Sequence, residues 1–147
     1  MPTIGTVLAK RQPLHNLPST ATVLDAAKML VEHNIGALPI LEGDRLVGVF
    51  SERDLLRRVI AEGRDAAQTK ITEVMTTDLV TADIKDDDSI CLMKMTEQGC
   101  RHLPVVDGDR LVAFLSARDL MKAQVEGMEM EIKTLTEYIH YVPPKLQ

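Results

Sequence analysis

The chain has no tryptophan and only two phenylalanines and two tyrosines. Apolar residues still make up 45% of the sequence, so a core has to be built from aliphatic side chains and eight methionines. Positive charge is also in short supply, because 17 Lys and Arg stand against 22 Asp and Glu and the net charge is −5. The shortage of aromatic rings for stacking bases and the excess of acid argue against nucleic acid or an anionic membrane surface as a partner.

Cysteine is equally scarce, since Cys91 and Cys100 are the only two in the chain. They form no Cys-x-x-Cys pair and have no histidines in metal-binding spacing beside them. We therefore expect two reduced thiols, with neither a disulfide framework nor a metal site. The sequence also lacks an apolar run of membrane-spanning length and the pattern of a secretion signal. These absences predict a soluble, cytoplasmic protein that acts without a membrane.

An internal repeat is the main positive feature of the chain. The segment from Gly43 to Leu55 returns as the segment from Gly108 to Leu120, and Pro39 and Pro104 show the same offset (104 − 39 = 65). Repetition at a fixed period indicates one supersecondary unit used twice, with each copy supporting the core of the other. The copies share three polar positions, which are Ser51 and Ser116, Arg53 and Arg118, and Asp54 and Asp119.

Apolar spacing and turn residues predict the same elements in both units. In the first unit, Thr22 and Asp25 form a capping box that begins a helix ending near Asn34 or Gly36. The other predicted elements of this unit are strands at 14–17, 38–41 and 46–50 and a helix at 52–61. The second unit has predicted strands at 79–82, 103–106 and 111–115, with Asp87 as the cap of its first helix. We therefore predict an α/β fold of the α+β kind, in which two pseudo-symmetric βαββα units pack as one module with a C-terminal helix.

Composition also predicts the boundaries of the units. A polar, glycine-containing segment at 62–70 is expected to link them, so the first unit comprises residues 1–65 and the second 66–125. Residues 126–147 form a helical tail that Pro143-Pro144 ends. Apolar residues near the tail are spaced four and three apart, as in a coiled-coil seam, at Met121, Val125, Met128, Ile132, Leu135 and Ile139. This stripe either docks on the chain's own body or pairs with a second chain, and we hypothesise that it contributes to a homodimer.

The shared polar positions admit two interpretations. A Ser followed three positions later by Asp at the start of a helix is typical of an N-cap. An acid at a junction between strand and helix also suits the vicinal hydroxyls of a sugar, while the helix N-terminus attracts phosphate. Arg53 and Arg118 favour the second interpretation, because a cap needs no arginine, whereas phosphate matches the guanidinium fork. The two roles are compatible, since the hydroxyl can cap while the acid faces a cleft.

The two units differ at one place that bears on this chemistry. Arg101 and His102 precede a strand of the second unit, where the first unit has Gly36 and Ala37. The Arg-His pair is either a solvated surface patch or a source of positive charge for a cleft. The second interpretation predicts two similar clefts with unequal electrostatics.

These motifs resemble the CBS domain, named after cystathionine β-synthase. The segments that carry the resemblance are Ile35-Gly36-Ala37-Leu38-Pro39-Ile40 with Gly48-Val49-Phe50-Ser51-Glu52-Arg53-Asp54, and Cys100-Arg101-His102-Leu103-Pro104-Val105 with Leu115-Ser116-Ala117-Arg118-Asp119. Val74-Met75-Thr76 is similar to the family's usual start of a second domain, and the tail to the C-terminal helix of small stand-alone bacterial CBS-pair proteins. The resemblance covers about residues 4–125 and implies a CBS pair, or Bateman module, with two clefts for adenosyl compounds.

The resemblance also implies roles for single residues. Ribose hydroxyls would bind Ser51 and Asp54 in one cleft and Ser116 and Asp119 in the other. Asp119 would face residues 35–37, and Asp54 would face Thr81, Cys100 and Arg101. Adenine would contact Asn16, Ile35, Gly36, Ala37, Pro39, Thr81, Cys100 and Pro104, and phosphate would contact Arg53, Arg101, His102 and Arg118. His15-Asn16 stands where the second repeat has Val80-Thr81, and this departure makes Asn16 the least typical member of the set.

The resulting prediction is a non-catalytic signalling module, because the histidines are scattered and neither cysteine lies in a nucleophile context. We expect it to bind AMP, ADP, ATP or NAD, to require no cofactor, and to act on a regulated protein whose identity the sequence does not indicate. The alternative is a dimeric interaction scaffold with empty clefts. An enzyme is the third class, which hydrolysis of a bound nucleotide would reveal.

Overall fold

Two βαββα units follow each other in the computed structural model, which describes residues 14–140. The first contains strand β1 (Leu17–Pro18), helix α1 (Val23–His33), strands β2 (Ala37–Glu42) and β3 (Arg45–Ser51), and helix α2 (Glu52–Asp54), which continues as a π-helical segment over Leu55–Ile60. The second contains β4 (Ala82–Asp83), α3 (Asp88–Gln98), β5 (His102–Asp107), β6 (Arg110–Ser116) and α4 (Ala117–His140). The predicted mixed fold, two repeats with a C-terminal helix, is confirmed.

The strands form one six-stranded sheet in the order β1-β2-β3-β6-β5-β4. In each unit a hairpin runs antiparallel, and the short first strand adds in parallel to its edge. The halves of the sheet meet where Arg45 of β3 pairs with Arg110 of β6, antiparallel. Equivalent residues that face each other in an antiparallel pair are related by a twofold axis. The repeat in the sequence is therefore a pseudo-twofold repeat in space.

Each unit buries its own apolar core between its sheet and helices. Phe50, Leu38 and Ile40 are fully buried in the first core, and Leu103 and Leu115 in the second. Burying one large apolar side chain stabilises a fold by about 1.5–3 kcal/mol. Residues 71 and 74, which precede the strands of the second unit, are an isoleucine and a valine buried in the first core. The connection between the units is therefore packed against the first unit.

Helices α1 and α3 begin as local sequence predicts. Thr22 Oγ1 accepts a hydrogen bond from the Asp25 N–H at 3.2 Å, and the Asp25 carboxylate accepts one from the Thr22 N–H at 2.9 Å. The latter bond is the main reason that the pKa of Asp25 is lowered. Asp87 caps α3 by accepting from the Ile90 N–H at 2.9 Å. The predicted capping box at Thr22 and the predicted cap at Asp87 are confirmed.

Three predicted elements differ from those observed. The first strands, predicted at 14–17 and 79–82, are β1 and β4, which have two residues each and lie further along the chain. Each pairs with two residues of β2 or β5, opposite the places where β3 and β6 have a bulge at Val47 and Val112. The helix predicted at 52–61 is α-helical only at Glu52–Asp54 before the π-helical segment. Apolar spacing shows which face is buried, but it does not distinguish the two hydrogen-bond patterns.

Helix α4 runs without interruption from Ala117 to His140, so the predicted boundary between residues 125 and 126 lies inside it. Leu120 is its one buried residue. Every residue of the predicted stripe is exposed, from 52% at Val125 to 74% at Ile139. The stripe therefore does not dock on the body formed by residues 14–140. Pro143-Pro144, the predicted end of the helix, lies outside the described residues.

Among residues 14–140, no helix combines the length and the apolar character needed to span a membrane.

Candidate functional site

The repeated Ser and Asp lie at the junctions where β3 leads into α2 and β6 into α4. Ser51 Oγ accepts a hydrogen bond from the Asp54 N–H at 3.1 Å, and Asp54 Oδ2 accepts one from the Ser51 N–H at 3.0 Å. The corresponding distances between Ser116 and Asp119 are 3.1 and 3.2 Å. Both pairs therefore cap their helices, as the first interpretation of the motif predicts. A carboxylate has about four acceptor positions, so this bond alone leaves each acid able to accept more.

Asp54 has further partners that the repeated motif did not predict. The Thr76 hydroxyl donates to it, at 3.2 Å from Oδ1 and 3.3 Å from Oδ2, and Arg58 Nε lies 3.6 Å from Oδ1. Asp54 is only 8% exposed as a result. The Val74-Met75-Thr76 motif was a signal for Thr76, whereas no repeat or motif marked Arg58. Thr81, Cys100 and Arg101, predicted to face Asp54, make no hydrogen bond to it within the part of the chain that the structure describes.

The second junction meets the first unit through His102. This residue pairs with Ser116 across β5 and β6, and its ring lies parallel to that of Phe114 with centroids 5.5 Å apart. Gly36 of the first unit approaches the same ring, because a Cβ built on Gly36 would lie 3.6 Å from Cε1 of His102. Such a Cβ would also lie 3.8 Å from Glu52 Oε2. The structure thus brings Gly36 and His102 together, one predicted adenine contact and one predicted phosphate contact.

Burial and the charges around His102 favour its neutral imidazole form. Burial lowers the pKa of His102 below its ordinary value, and the neighbouring Arg101 lowers it further. Asp119 and Glu52 oppose this change because negative charge favours the protonated ring. A neutral imidazole offers one N–H donor, so His102 would contact a phosphate as a hydrogen-bond donor rather than as a cation.

We expect that lowering the pH destabilises the native protein more than it destabilises a His102→Gln variant. The folded-state pKa lies below the unfolded value of about 6.5, so the unfolded chain binds a proton first as the pH falls. The contribution of neutral His102 is fully present above the unfolded pKa and is lost as the pH falls towards the folded one. Thermal melts of both proteins at about pH 8 and about pH 5.5 measure it. An equal loss of melting temperature in both proteins would contradict the prediction.

The predicted phosphate contacts other than His102 lie on the surface. Arg53, Arg101 and Arg118 are exposed. None of the three forms an ion pair with the carboxylates of residues 14–140. Arg53 and Arg118 follow the two capping serines directly in the first turns of α2 and α4. Arg53 and Arg118 are therefore exposed residues directly next to the two junctions in the chain.

The predicted adenine contacts divide by burial. Ala37, Pro39 and Pro104 are buried in β2 and β5, where their side chains belong to the interior of the fold. The five others are half-buried, namely Asn16, Ile35, Gly36, Thr81 and Cys100. The Thr81 carbonyl accepts a hydrogen bond from Lys94 Nζ at 2.9 Å, and Lys94 also pairs with Asp86 at 3.1 Å. This network holds the segment that leads into β4.

An open cavity of about 450 Å³ lies between the units at the hairpin ends of β3 and β6. Small-molecule sites typically have volumes of about 300–1,000 Å³. Thr81 is the predicted site residue on its wall, and the other lining residues are Arg45, Leu46, Val47, Leu79, Val106, Gly108 and Asp109. The acids of the two junctions do not line this cavity, so it adjoins the adenine contact at Thr81 rather than the ribose motifs.

The two thiols are free, and Cys91 is buried. Burial raises the pKa of both cysteines, that of Cys91 to about 11. The thiolate is the reactive form of cysteine, and a raised pKa keeps it rare at neutral pH. Neither cysteine is therefore activated as a nucleophile.

Comparison with known sequences agrees with this geometry. The profile of the CBS domain matches residues 6–61 and 71–126. The chain is 34% identical over 119 residues to the CBS domain-containing protein YhcV of Bacillus subtilis, covering 81% of this chain and 84% of that protein. It is 33% identical over 123 residues to a mitochondrial CBS domain-containing protein of Arabidopsis thaliana, covering 80% of this chain. The match spans 60% of the Arabidopsis protein, which is therefore considerably longer.

Solved structures show the same arrangement of elements. A protein with CBS domains from Burkholderia ambifaria superposes with a TM-score of 0.77 at 31% identity, covering 85% of this chain and 95% of that one. The CBS domain pair of protein MJ0100 superposes with a TM-score of 0.74 at 26% identity, covering 86% and 98%. That structure holds 5′-methylthioadenosine and S-adenosyl-L-methionine. With two matched domains, the repeated strand-to-helix junctions and these relatives, the chain belongs to the CBS domain family and forms a CBS domain pair.

Proposed function

We propose that this CBS pair is a non-catalytic regulatory module that binds an adenosyl nucleotide between its units. The observation that carries the proposal is the repeated Ser-Asp junction, present at equivalent places in both units. A ribose presents vicinal hydroxyls, which a carboxylate at a helix N-terminus is suited to accept. The relative MJ0100, which binds two adenosyl compounds, supports the same ligand class. AMP, ADP, ATP and NAD all contain the adenosine that this site would recognise.

Local charge favours a phosphate-bearing ligand over an uncharged one. The chain as a whole carries −5, which repels anions at long range. Arg53 and Arg118 nevertheless stand in the first turns of α2 and α4, where the helix dipole adds positive potential. Arg101 adds a third exposed cation near His102. A phosphate attached to the ribose would lie within this group of donors.

The proposal is tested by native mass spectrometry of protein purified without added ligand, followed by thermal melts with added nucleotide. We expect a mass increment equal to an adenosyl compound and a melting temperature that rises with AMP, ADP, ATP or NAD, because a ligand of the native state stabilises it. No increment and no rise with any of these compounds would contradict the proposal. That result would favour the dimeric scaffold without a ligand.

We further infer that α4 pairs with the same helix of a second copy. The apolar stripe of α4 is exposed, and the π-helical segment after α2 adds two more exposed apolar residues, Leu56 and Ile60. These are the repeat equivalents of Met121 and Val125 (121 − 56 = 65 and 125 − 60 = 65). The pseudo-symmetric units therefore present apolar side chains at matching helical positions, which suits the self-complementary contact of a twofold dimer. Ligand binding changes the relative positions of the two units only as far as the ligand prefers one arrangement. A dimer interface on α4 would transmit that change to the second copy.

A further inference from the structure

The acid of the first junction is already bound by donors of its own chain. The Asp54 carboxylate accepts from the Ser51 N–H at 3.0 Å and from the Thr76 hydroxyl at 3.2 Å. Arg58 Nε adds an ion pair at 3.6 Å, and the Asp54 side chain is 11% exposed. An incoming ribose therefore meets a carboxylate whose two oxygens both already have partners in the chain.

Arg58 also holds the connection between the units. Its Nη1 donates to the carbonyl of Val74 at 3.3 Å and to that of Met75 at 3.1 Å. Thr76 then exchanges both backbone hydrogen bonds with Val49 of β3, each at 2.9 Å. The guanidinium group thus joins Asp54 to the backbone that positions the Thr76 hydroxyl. Residues 74–76 lie on the path to the second unit, so their position affects both units.

A contact across β3 adds to this attachment. Gly48 lies directly under the Met75 side chain, and a Cβ built on Gly48 would come within 2.9 Å of Met75 Cγ. The absence of a side chain at Gly48 thus allows Met75 to pack directly against β3. Residues 74–76 are held by a guanidinium, a backbone pairing and a side-chain contact.

The second unit differs from the first at two of these positions. The residue equivalent to Arg58 is Ala123 (58 + 65 = 123), and the residue equivalent to Gly48 is Ala113 (48 + 65 = 113). An alanine side chain offers neither charge nor hydrogen-bond donor. Asp54 is buried, whereas Asp119 is half-buried. The clefts therefore differ at their acids as well as at Arg101 and His102.

We propose that Arg58 is a positioning residue that holds residues 74–76 against Asp54 and thereby weakens ligand binding in the first cleft. The proposal rests on the proposed function, since it concerns the affinity of that same site. A carboxylate has about four acceptor positions, and the Ser51 N–H, the Thr76 hydroxyl and Arg58 already use three of them, so two ribose hydroxyls bind only if Thr76 or Arg58 is displaced. Displacement moves the connection between the units. Occupancy of the first cleft is thus coupled to the relative position of the two units.

The test uses the full chain with Asp119→Ala, in which only the first cleft retains its acid. Isothermal titration with adenosine, which has the ribose but no phosphate, should give a dissociation constant about tenfold lower when Arg58→Ala is added, because a charge-assisted contact to the competing segment is lost. Arg57→Ala is the matched control, since Arg57 is exposed and makes no ion pair within residues 14–140. An unchanged or higher dissociation constant with Arg58→Ala would overturn the proposal. A higher value would show that Arg58 contacts the ligand.

A second measurement requires no ligand. Hydrogen exchange at the amides of Thr76 and Val49 should become faster with Arg58→Ala and stay unchanged with Arg57→Ala, because the backbone pairing loses its support. Unchanged exchange with Arg58→Ala would overturn the proposed hold whatever the titration shows. Faster exchange with no adenosine binding by any variant, nor by the native chain, would instead refute the proposed function and with it the effect on affinity. The two failures are therefore distinguishable.

Discussion

Replacing Asp54 and Asp119 together by alanine is expected to abolish the rise in melting temperature that AMP produces in the native protein. The change removes the acceptor for ribose hydroxyls from both clefts. At a ligand concentration of one hundred dissociation constants, binding stabilises the native state by about 2.7 kcal/mol, and this is the contribution that should disappear. Thermal melts with and without AMP measure it within each protein, so the lower starting stability caused by two lost caps does not affect the comparison.

The chain offers a matched control for this experiment. Glu32 and Glu97 are repeat equivalents (97 − 32 = 65), and both are exposed on the outer faces of α1 and α3. Replacing them by alanine removes the same total charge as the aspartate variant without touching either junction. The control should retain the full response to AMP. A full response in the aspartate variant would show that the junctions do not bind the ribose.

Ending the chain after Val125 is expected to halve the mass of the protein in solution. The truncation removes Met128, Ile132, Leu135 and Ile139, which are between 54% and 74% exposed in the single chain. A buried side chain of this size contributes about 1.5–3 kcal/mol, so losing four from each helix removes most of the stabilisation of a coiled-coil pair. Light scattering coupled to size exclusion measures the change. An unchanged mass would contradict pairing through this helix.

Single substitutions on α4 separate a pairing surface from a general effect of shortening. Ile132→Lys places a charge within the stripe and should give a monomer. Glu137→Lys introduces the same side chain on the opposite face of the helix, since 3.6 residues make one turn, and should leave the dimer intact. Dissociation in both variants would indicate that helix stability, rather than the stripe, controls assembly.

Features that depend on neighbouring residues were predictable from the sequence. Thr22 and Asp25 are three positions apart, and this spacing, which marks the motif in the sequence, also lets the side chain of each residue accept a hydrogen bond from the backbone N–H of the other. Gly43 and Gly108, in the predicted hairpin turns, both adopt a φ of 64° in the left-handed region that favours glycine. The capping role of the Ser-Asp motif was predictable for the same reason.

Features that depend on distant residues were not predictable in this way. Arg58 meets the carbonyls of residues 74 and 75 across a sequence separation of 16 and 17 positions. The extents of β1 and β4 depend on pairing with distant residues of β2 and β5, and the π-helical segment depends on a hydrogen-bond pattern that apolar spacing does not encode. The position of Thr76 beside Asp54 likewise requires the connecting segment to fold back on β3.

The sequence by itself determined that two copies of one unit are present and that each has a Ser-Asp cap where a strand leads into a helix, because repetition and capping are encoded within a few neighbouring positions. Only the tertiary structure decided how the copies differ at their acids. Asp54 is enclosed by Thr76 and Arg58, while the second junction meets His102 and, through it, Gly36 of the other unit. The physical reason is that hydrogen bonding and burial of a carboxylate depend on which distant groups the folded chain brings within about 3–4 Å of it.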